Sequence, residues 1–206
     1  LVQSYEYEDA FIDNSCGLHI HFNAIDLNVQ DMKNMIYIIK GIENTIIDSM
    51  IKNRKNNRYC RTLSRLKYID LDRVKNLSDL CKLWYNNLTY SDERMTMSHY
   101  NNSRYHGLNL HSRFYMGTIE FRYHEGTMRY EDIMDWIYFC RNIINSARIM
   151  SNDKLSRQGT KYRNKLIETF VKDKGIKTTP LERIHLIGGK DSAQYIERRI
   201  NKQINK

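Results

Sequence analysis

Three short segments alternate strictly between aliphatic side chains and side chains that can bind ions, and this double pattern limits the fold more than any other feature of the sequence. Residues 17–23, Gly-Leu-His-Ile-His-Phe-Asn, put Leu18, Ile20 and Phe22 on one face and His19 and His21 on the other. Residues 107–111 set Leu108 and Leu110 against Asn109 and His111, and residues 117–124 set Ile119, Phe121 and Tyr123 against Glu120, Arg122 and His124. Period-two alternation of this kind predicts half-buried strands. An ordinary solvent face would carry Thr, Lys and Ser, so the concentration of imidazoles, an amide, a carboxylate and a guanidinium marks the polar face as a candidate site.

Between these strands the period changes. Met35, Ile38, Ile39, Ile42, Ile46 and Met50 recur at spacings of three and four, which predicts a helix over 31–51. Residues 77–86 read as a short helix capped by Asn76 or Ser78, and 131–150 as a long one burying Trp136, Cys140 and Ile143, with Glu131 and Asp132 at its positive N-terminal end. The remainder reads as two or three short basic helices around Thr179-Pro180 and Gly188-Gly189. The expected fold class is α+β: a curved, largely antiparallel sheet covered by helices on one face, with a helical C-terminal appendage. The expected domains are a catalytic one over 1–150 and a basic helical extension over 151–206.

The four cysteines, Cys16, Cys60, Cys81 and Cys140, form no C-x-x-C pair, so a zinc knuckle and a disulfide framework are disfavoured and a cytoplasmic protein is expected. No apolar run reaches the roughly 20 residues of a membrane span, and no membrane partner is expected. The formal charge of +9 is uneven: residues 1–50 carry −6, 51–100 carry +6, 101–150 carry +1 and 151–206 carry +8. The basic segments 52–67 and 151–206 are therefore candidate contacts for nucleic acid or another polyanion, away from the alternating strands.

If the three strands are neighbours, their polar faces converge on a volume suited to a metal-bound polyphosphate. Carboxylate and imidazole can hold a divalent cation, and Arg122 can bind phosphate oxygens through two donors, with Arg104 as a second cationic clamp.

Three blocks then become recognisable in order and spacing: Ser15-Cys16-Gly17-Leu18-His19-Ile20-His21, Arg104-Tyr105-His106-Gly107-Leu108-Asn109-Leu110, and Thr118-Ile119-Glu120-Phe121-Arg122-Tyr123-His124-Glu125-Gly126-Thr127. Together with an Arg-x-x-x-Tyr-Cys-like stretch at Arg54 to Cys60 and Trp136, they resemble the amidoligase family of carboxylate–amine ligases, which has a glutamine-synthetase-like fold. The likeness runs from about Asp13 to about Ala147. It implies an enzyme that uses ATP and Mg2+ (or Mn2+) to join small-molecule or peptide carboxylate and amine substrates through an acyl phosphate. On this resemblance His19 and Glu120 are metal ligands and His21 approaches the nucleotide. Arg122 contacts phosphate and Arg104 phosphate or substrate carboxylate, both as catalytic groups with Glu125, while Asn109 and Glu125 lie on the substrate side or support the groups that do.

One departure stands out. The family carries a Glu-x-Glu metal pair on a strand far upstream of the His-x-His block, whereas only 18 residues precede His19. Glu6-Tyr7-Glu8 has the spacing but lies close to the His strand, so the expectation is that the chain begins partway into the fold and is completed by an N-terminal segment or subunit. A reading of another class is a basic nucleic-acid-binding or virion-associated structural module that retains a degenerate ligase fold.

Overall fold

The computed structural model describes residues 11–13, 15–50, 54, 57–89 and 98–204. Within them lie, in order, β1 (Ile20–Asn23), α1 (Val29–Ser49), α2 (Tyr68–Asp72), α3 (Leu77–Leu88), β2 (Leu108–Asn109), α4 (His111–Met116), β3 (Thr118–Phe121), α5 (Tyr130–Ser151), α6 (Arg157–Ile167) and α7 (Pro180–Ile204). A 3-10 turn, Asn102–Arg104, leads into β2, and a π turn, Glu168–Lys172, follows α6.

Local chemistry sets the helix starts. Asn28 accepts from the Asp31 amide while the Asp31 carboxylate accepts from the Asn28 amide, a capping box that opens α1. Asn76 accepts from the Asp79 amide and opens α3. Helix α4 follows β2 at once because the Asn109 side-chain oxygen takes the His111 amide at 2.8 Å, turning the backbone out of the strand. This corrects the expected strand over 107–111: only Leu108 and Asn109 pair, and His111 is the first residue of a helix.

The three strands form one antiparallel sheet in the order β1-β3-β2. Leu108, Ile119 and Phe121 are fully buried and Ile20 and Phe22 half-buried on its apolar side. Helices α1 and α5 pack against each other, and α7 packs on both. A single core results, to which the C-terminal residues Leu166, Phe170, Ile184, Ile187, Tyr195 and Ile196 belong as fully as Trp84 and Trp136. Helix α7 contains a kink at Gly189, where φ is 68° and ψ −164°, so the two or three helices expected of this region are present as α6 and the two arms of α7.

All four cysteines are free thiols. Among the described residues no helix is long and apolar enough to cross a membrane. Glu6 and Glu8 lie outside the described residues.

Candidate active site

The sheet register assembles the site in rows. His21 stands directly opposite Glu120, and Asn109 stands opposite Glu120 on its other side, so His21, Glu120 and Asn109 form one row across three strands. Two residues along β3, Arg122 follows on the same face, where its amide bonds the Gly107 carbonyl at 2.7 Å. His19 lies on the corresponding side of the β1 segment.

Glu120 is the centre of the arrangement. One carboxylate oxygen accepts from Arg122 Nη1 at 2.7 Å and faces His19 Nδ1 at 3.2 Å and His21 Nε2 at 3.5 Å. The other oxygen accepts from Asn109 Nδ2 at 2.6 Å. Burial alone would raise the carboxyl's pKa, but the His19 contact, the Arg122 charge and the Asn109 hydrogen bond outweigh it and hold the group down to about 2. Glu120 is therefore an anion across the neutral range and not a proton donor. Its part is to orient two imidazoles and a guanidinium, and both imidazoles remain accessible, at 37% and 41% side-chain exposure.

Arg122 is further fixed by a bond from Nε to the Tyr59 carbonyl at 3.2 Å. Beneath it, the buried Arg54 donates to the carbonyl oxygens of Arg122 at 2.7 Å, Tyr123 at 3.4 Å and His124 at 2.9 Å. One guanidinium thus bridges three consecutive carbonyls, of which that of His124 also accepts the Leu18 amide at 3.1 Å. Arg54 stands in a run of seven bases between 52 and 67 whose composition suggests a loop or a solvated helix end, and the resemblance that includes it does not show that it is buried against these carbonyls.

A cleft of about 150 Å³ opens beside the row, lined among others by His21, Arg104, Asn109, His111, Glu120 and Arg122. Arg104 is held at its edge by a bond from Nη1 to the His99 carbonyl and from Nη2 to the Tyr105 hydroxyl, and lies over the rings of Tyr105 and Tyr100 at 4.8 and 5.1 Å. Unlike Arg122, it appears in no ion pair of the described residues, so its charge is available to an anion in the cleft. His111 is buried, its Nδ1 bound to the Tyr85 hydroxyl at 2.7 Å, and burial lowers its pKa below the usual imidazole value.

Comparison with known proteins identifies the family of the chain. A family model described as "Putative amidoligase enzyme" matches residues 1–144. The chain belongs to this amidoligase family. No match was found among curated proteins or among solved structures.

The candidate site draws together five of the seven expected residues: His19, His21, Asn109, Glu120 and Arg122 by direct contact through Glu120, with Arg104 across the cleft as a sixth. Glu125 is placed elsewhere. Its carboxylate pairs with Arg199 of α7, and it does not line the cleft. His124, which alternation puts beside Arg122, is fully buried, packs on Trp136 and bonds the Tyr195 hydroxyl at 3.0 Å. The reason is a slip in register: Ile20 faces Phe121, but three residues earlier Gly17 faces Glu125, four residues later, so the Arg122–Glu125 segment carries one extra residue. Such a bulge turns the following side chains away from the face that alternation assigns them. Sequence reasoning also missed His99, Ser112 and Tyr115, which line the cleft from a turn and a short helix that carry no strand pattern.

The described residues do not by themselves fit a magnesium ion. Among them no group of three or more His, Cys, Asp and Glu could hold a metal. Both Glu120 oxygens are engaged, and two imidazole nitrogens are poor partners for an ion that demands near-octahedral oxygen. What the residues do fit is a bound anion, met by Arg104 and two accessible imidazoles.

Proposed function

We propose that this amidoligase is an ATP-dependent carboxylate–amine ligase that works through an acyl phosphate, with ATP entering as its magnesium complex. The observation that carries the reading is the Glu120 carboxylate fixing His19, His21 and Arg122 on one sheet face beside Arg104, which makes no ion pair among the described residues. A carboxylate is a poor acyl donor. In the first step its oxygen attacks the γ-phosphorus of ATP, the bond to the β-phosphate oxygen breaks, and ADP leaves. In the second step an amine attacks the acyl carbon, the carbon–oxygen bond to phosphate breaks, and the amine loses a proton.

Both steps gather anions and spread charge over a transferring phosphoryl group, so they depend on fixed cations more than on a covalent nucleophile. Arg122, locked by Glu120 and the Tyr59 carbonyl, presents its remaining N–H groups without reorganisation. Arg104 clamps the other side of the cleft. An imidazole of His19 or His21 takes the amine proton.

The test is ADP release with mixed carboxylate and amine donors. Glu120→Gln and Arg122→Ala are each expected to lower turnover by about 100- to 1,000-fold, the usual effect of removing one fixed group that stabilises transition-state charge. A melting curve for each variant separates loss of chemistry from loss of fold. Equal turnover in folded wild type and variants would overturn the assignment.

A further inference from the structure

The basic surplus of the chain has two candidate locations, and the structure separates them. In the 52–67 segment Arg54 is buried against three carbonyls, Arg58 lies over the Tyr59 ring and bonds its hydroxyl, and Arg61 pairs through its backbone with the chain around His106. Of the described cations of this segment only Arg54 is buried; Arg58, Arg65 and Lys67 are exposed but irregularly spaced. Helix α6 is different. It carries Arg157, Lys161, Arg163 and Lys165 and no acid.

Arg163 pairs with Asp153 at 2.7 Å. Arg157, Lys161 and Lys165 are all exposed, and none of the three appears in an ion pair of the described residues. Their spacing of four residues places them on one helix face about 6 Å apart. Like charges at this spacing repel, so the stripe carries an electrostatic strain that an external anion would relieve. At its C-terminal end Lys165 enters a groove of about 500 Å³ between α6 and α7, which His185 and Lys190 also line. Glu182 and Glu197 line the groove too; the Glu182 carboxylate accepts from the Thr179 amide and hydroxyl at 2.7 and 2.9 Å and also lies in the field of Lys165, so the row is most open at Arg157 and Lys161.

We infer that the Arg157–Lys161–Lys165 face of α6 is a docking surface for the phosphodiester backbone of a nucleic acid. An extended row of evenly spaced cations matches an extended row of phosphates. Contacts to a phosphate backbone require nothing but donors and charge. A membrane surface is the poorer match, because interfacial helices bury an apolar face in the bilayer, whereas the apolar residues of α6 turn inward: Leu166 is fully buried, and Tyr162 and Ile167 pack on the core. This surface is independent of the ligase reading, since none of its residues lines the Glu120 cleft.

The experiment is fluorescence anisotropy of the full chain on a labelled DNA duplex of roughly 20 base pairs across a salt series. Three proteins beside wild type are needed. One is Arg157→Gln/Lys161→Gln/Lys165→Gln. The second, Lys67→Gln/Lys75→Gln/Lys82→Gln, removes the same charge from exposed positions near α2 and α3. The third is Glu120→Ala.

The first triple is expected to bind at least about tenfold more weakly and to lower the salt slope by about 2–3, the number expected for three lost phosphate contacts. The second triple and Glu120→Ala are expected to stay within about twofold of wild type, on the same salt dependence. ADP release by the first triple with small donors should be unchanged. Absence of duplex binding by wild type, or equal weakening by the two triples, overturns the proposal. Tighter binding to phosphatidylserine-containing vesicles than to the duplex, lost in the first triple, overturns it in favour of a lipid surface.

Discussion

Glu43 shows how a single buried group below the site ties its folding to pH. Its carboxylate accepts from the Tyr123 hydroxyl at 2.7 Å and from the Leu63 amide at 3.0 Å. Burial pushes its pKa up to about 7 from 4.5, against the lowering effect of those two bonds and of Lys40. The folded state therefore keeps a proton that the unfolded chain has released. The stabilisation present below about pH 4.5 is lost as pH rises through about 7, and a shift of this size corresponds to about 3 kcal/mol. In urea unfolding between about pH 5 and pH 8, wild type should lose about 2–3 kcal/mol relative to Glu43→Gln. His106 and His124, which burial keeps neutral, act on the acid side and cancel in that difference. Parallel pH curves for the two proteins would show that Glu43 stays ionised. At this scale the sequence was readable where alternation held: His19, His21, Asn109, Glu120 and Arg122 take the face it assigned them. It was unreadable at His124, Glu125 and Arg54, whose orientations depend on partners some 70 residues away, Tyr195, Arg199 and the Arg122–His124 carbonyls.

The elements differ in how tightly they are registered, and two glycines measure the difference. Gly107 lies where β2 begins, giving its carbonyl to the Arg122 amide and its amide to the Arg61 carbonyl. A methyl group there would stand 1.9 Å from the Tyr123 ring, whose hydroxyl holds Glu43. Neither side can yield, because Tyr123 is fully buried and Gly107 is pinned by two backbone bonds. Gly107→Ala should cost about 3 kcal/mol or more, the upper end of overpacking effects, and should lower ADP release along with it. Gly189 has open space around its Cα, so only its backbone matters. Its φ and ψ fall in a region essentially reserved for glycine, and Gly189→Ala should cost about 1–3 kcal/mol with no effect on turnover of the folded protein. Equal effects of the two substitutions on activity, measured beside their melting temperatures, would remove the distinction between a register point of the site and a remote hinge in α7. The helices were legible because their apolar stripes span many residues. Strand β2 was overread because two paired residues followed by a helix give the same short alternation as a longer strand.

For the molecule as a whole, the question is whether residues 152–204 are an extension or a part of the fold. Composition divides the chain there, since the last segment alone carries +8. Packing does not. Helix α7 lies on both α1 and α5, and its Ile184, Ile187, Tyr195 and Ile196 are buried in the common core. Four such side chains account for about 6–12 kcal/mol of burial, comparable with the whole net stability of a typical domain. The same helix reaches the end of the sheet that carries the candidate site, where Arg199 pairs with Glu125 and Tyr195 bonds His124, directly beyond Arg122. Replacing Arg199 alone, as in Arg199→Ala, would leave the largely buried Glu125 carboxylate without its cation, which itself costs about 3–5 kcal/mol. A chain ended at Ser151, which retains every residue of the Glu120 row and of the family match, is therefore expected to show no cooperative urea transition and no ADP release. Circular dichroism beside the full chain distinguishes the outcomes. A truncated chain that unfolds cooperatively at the full chain's midpoint would make the C-terminal helices a separable extension, and the contacts of Arg199 and Tyr195 would then be incidental to the site.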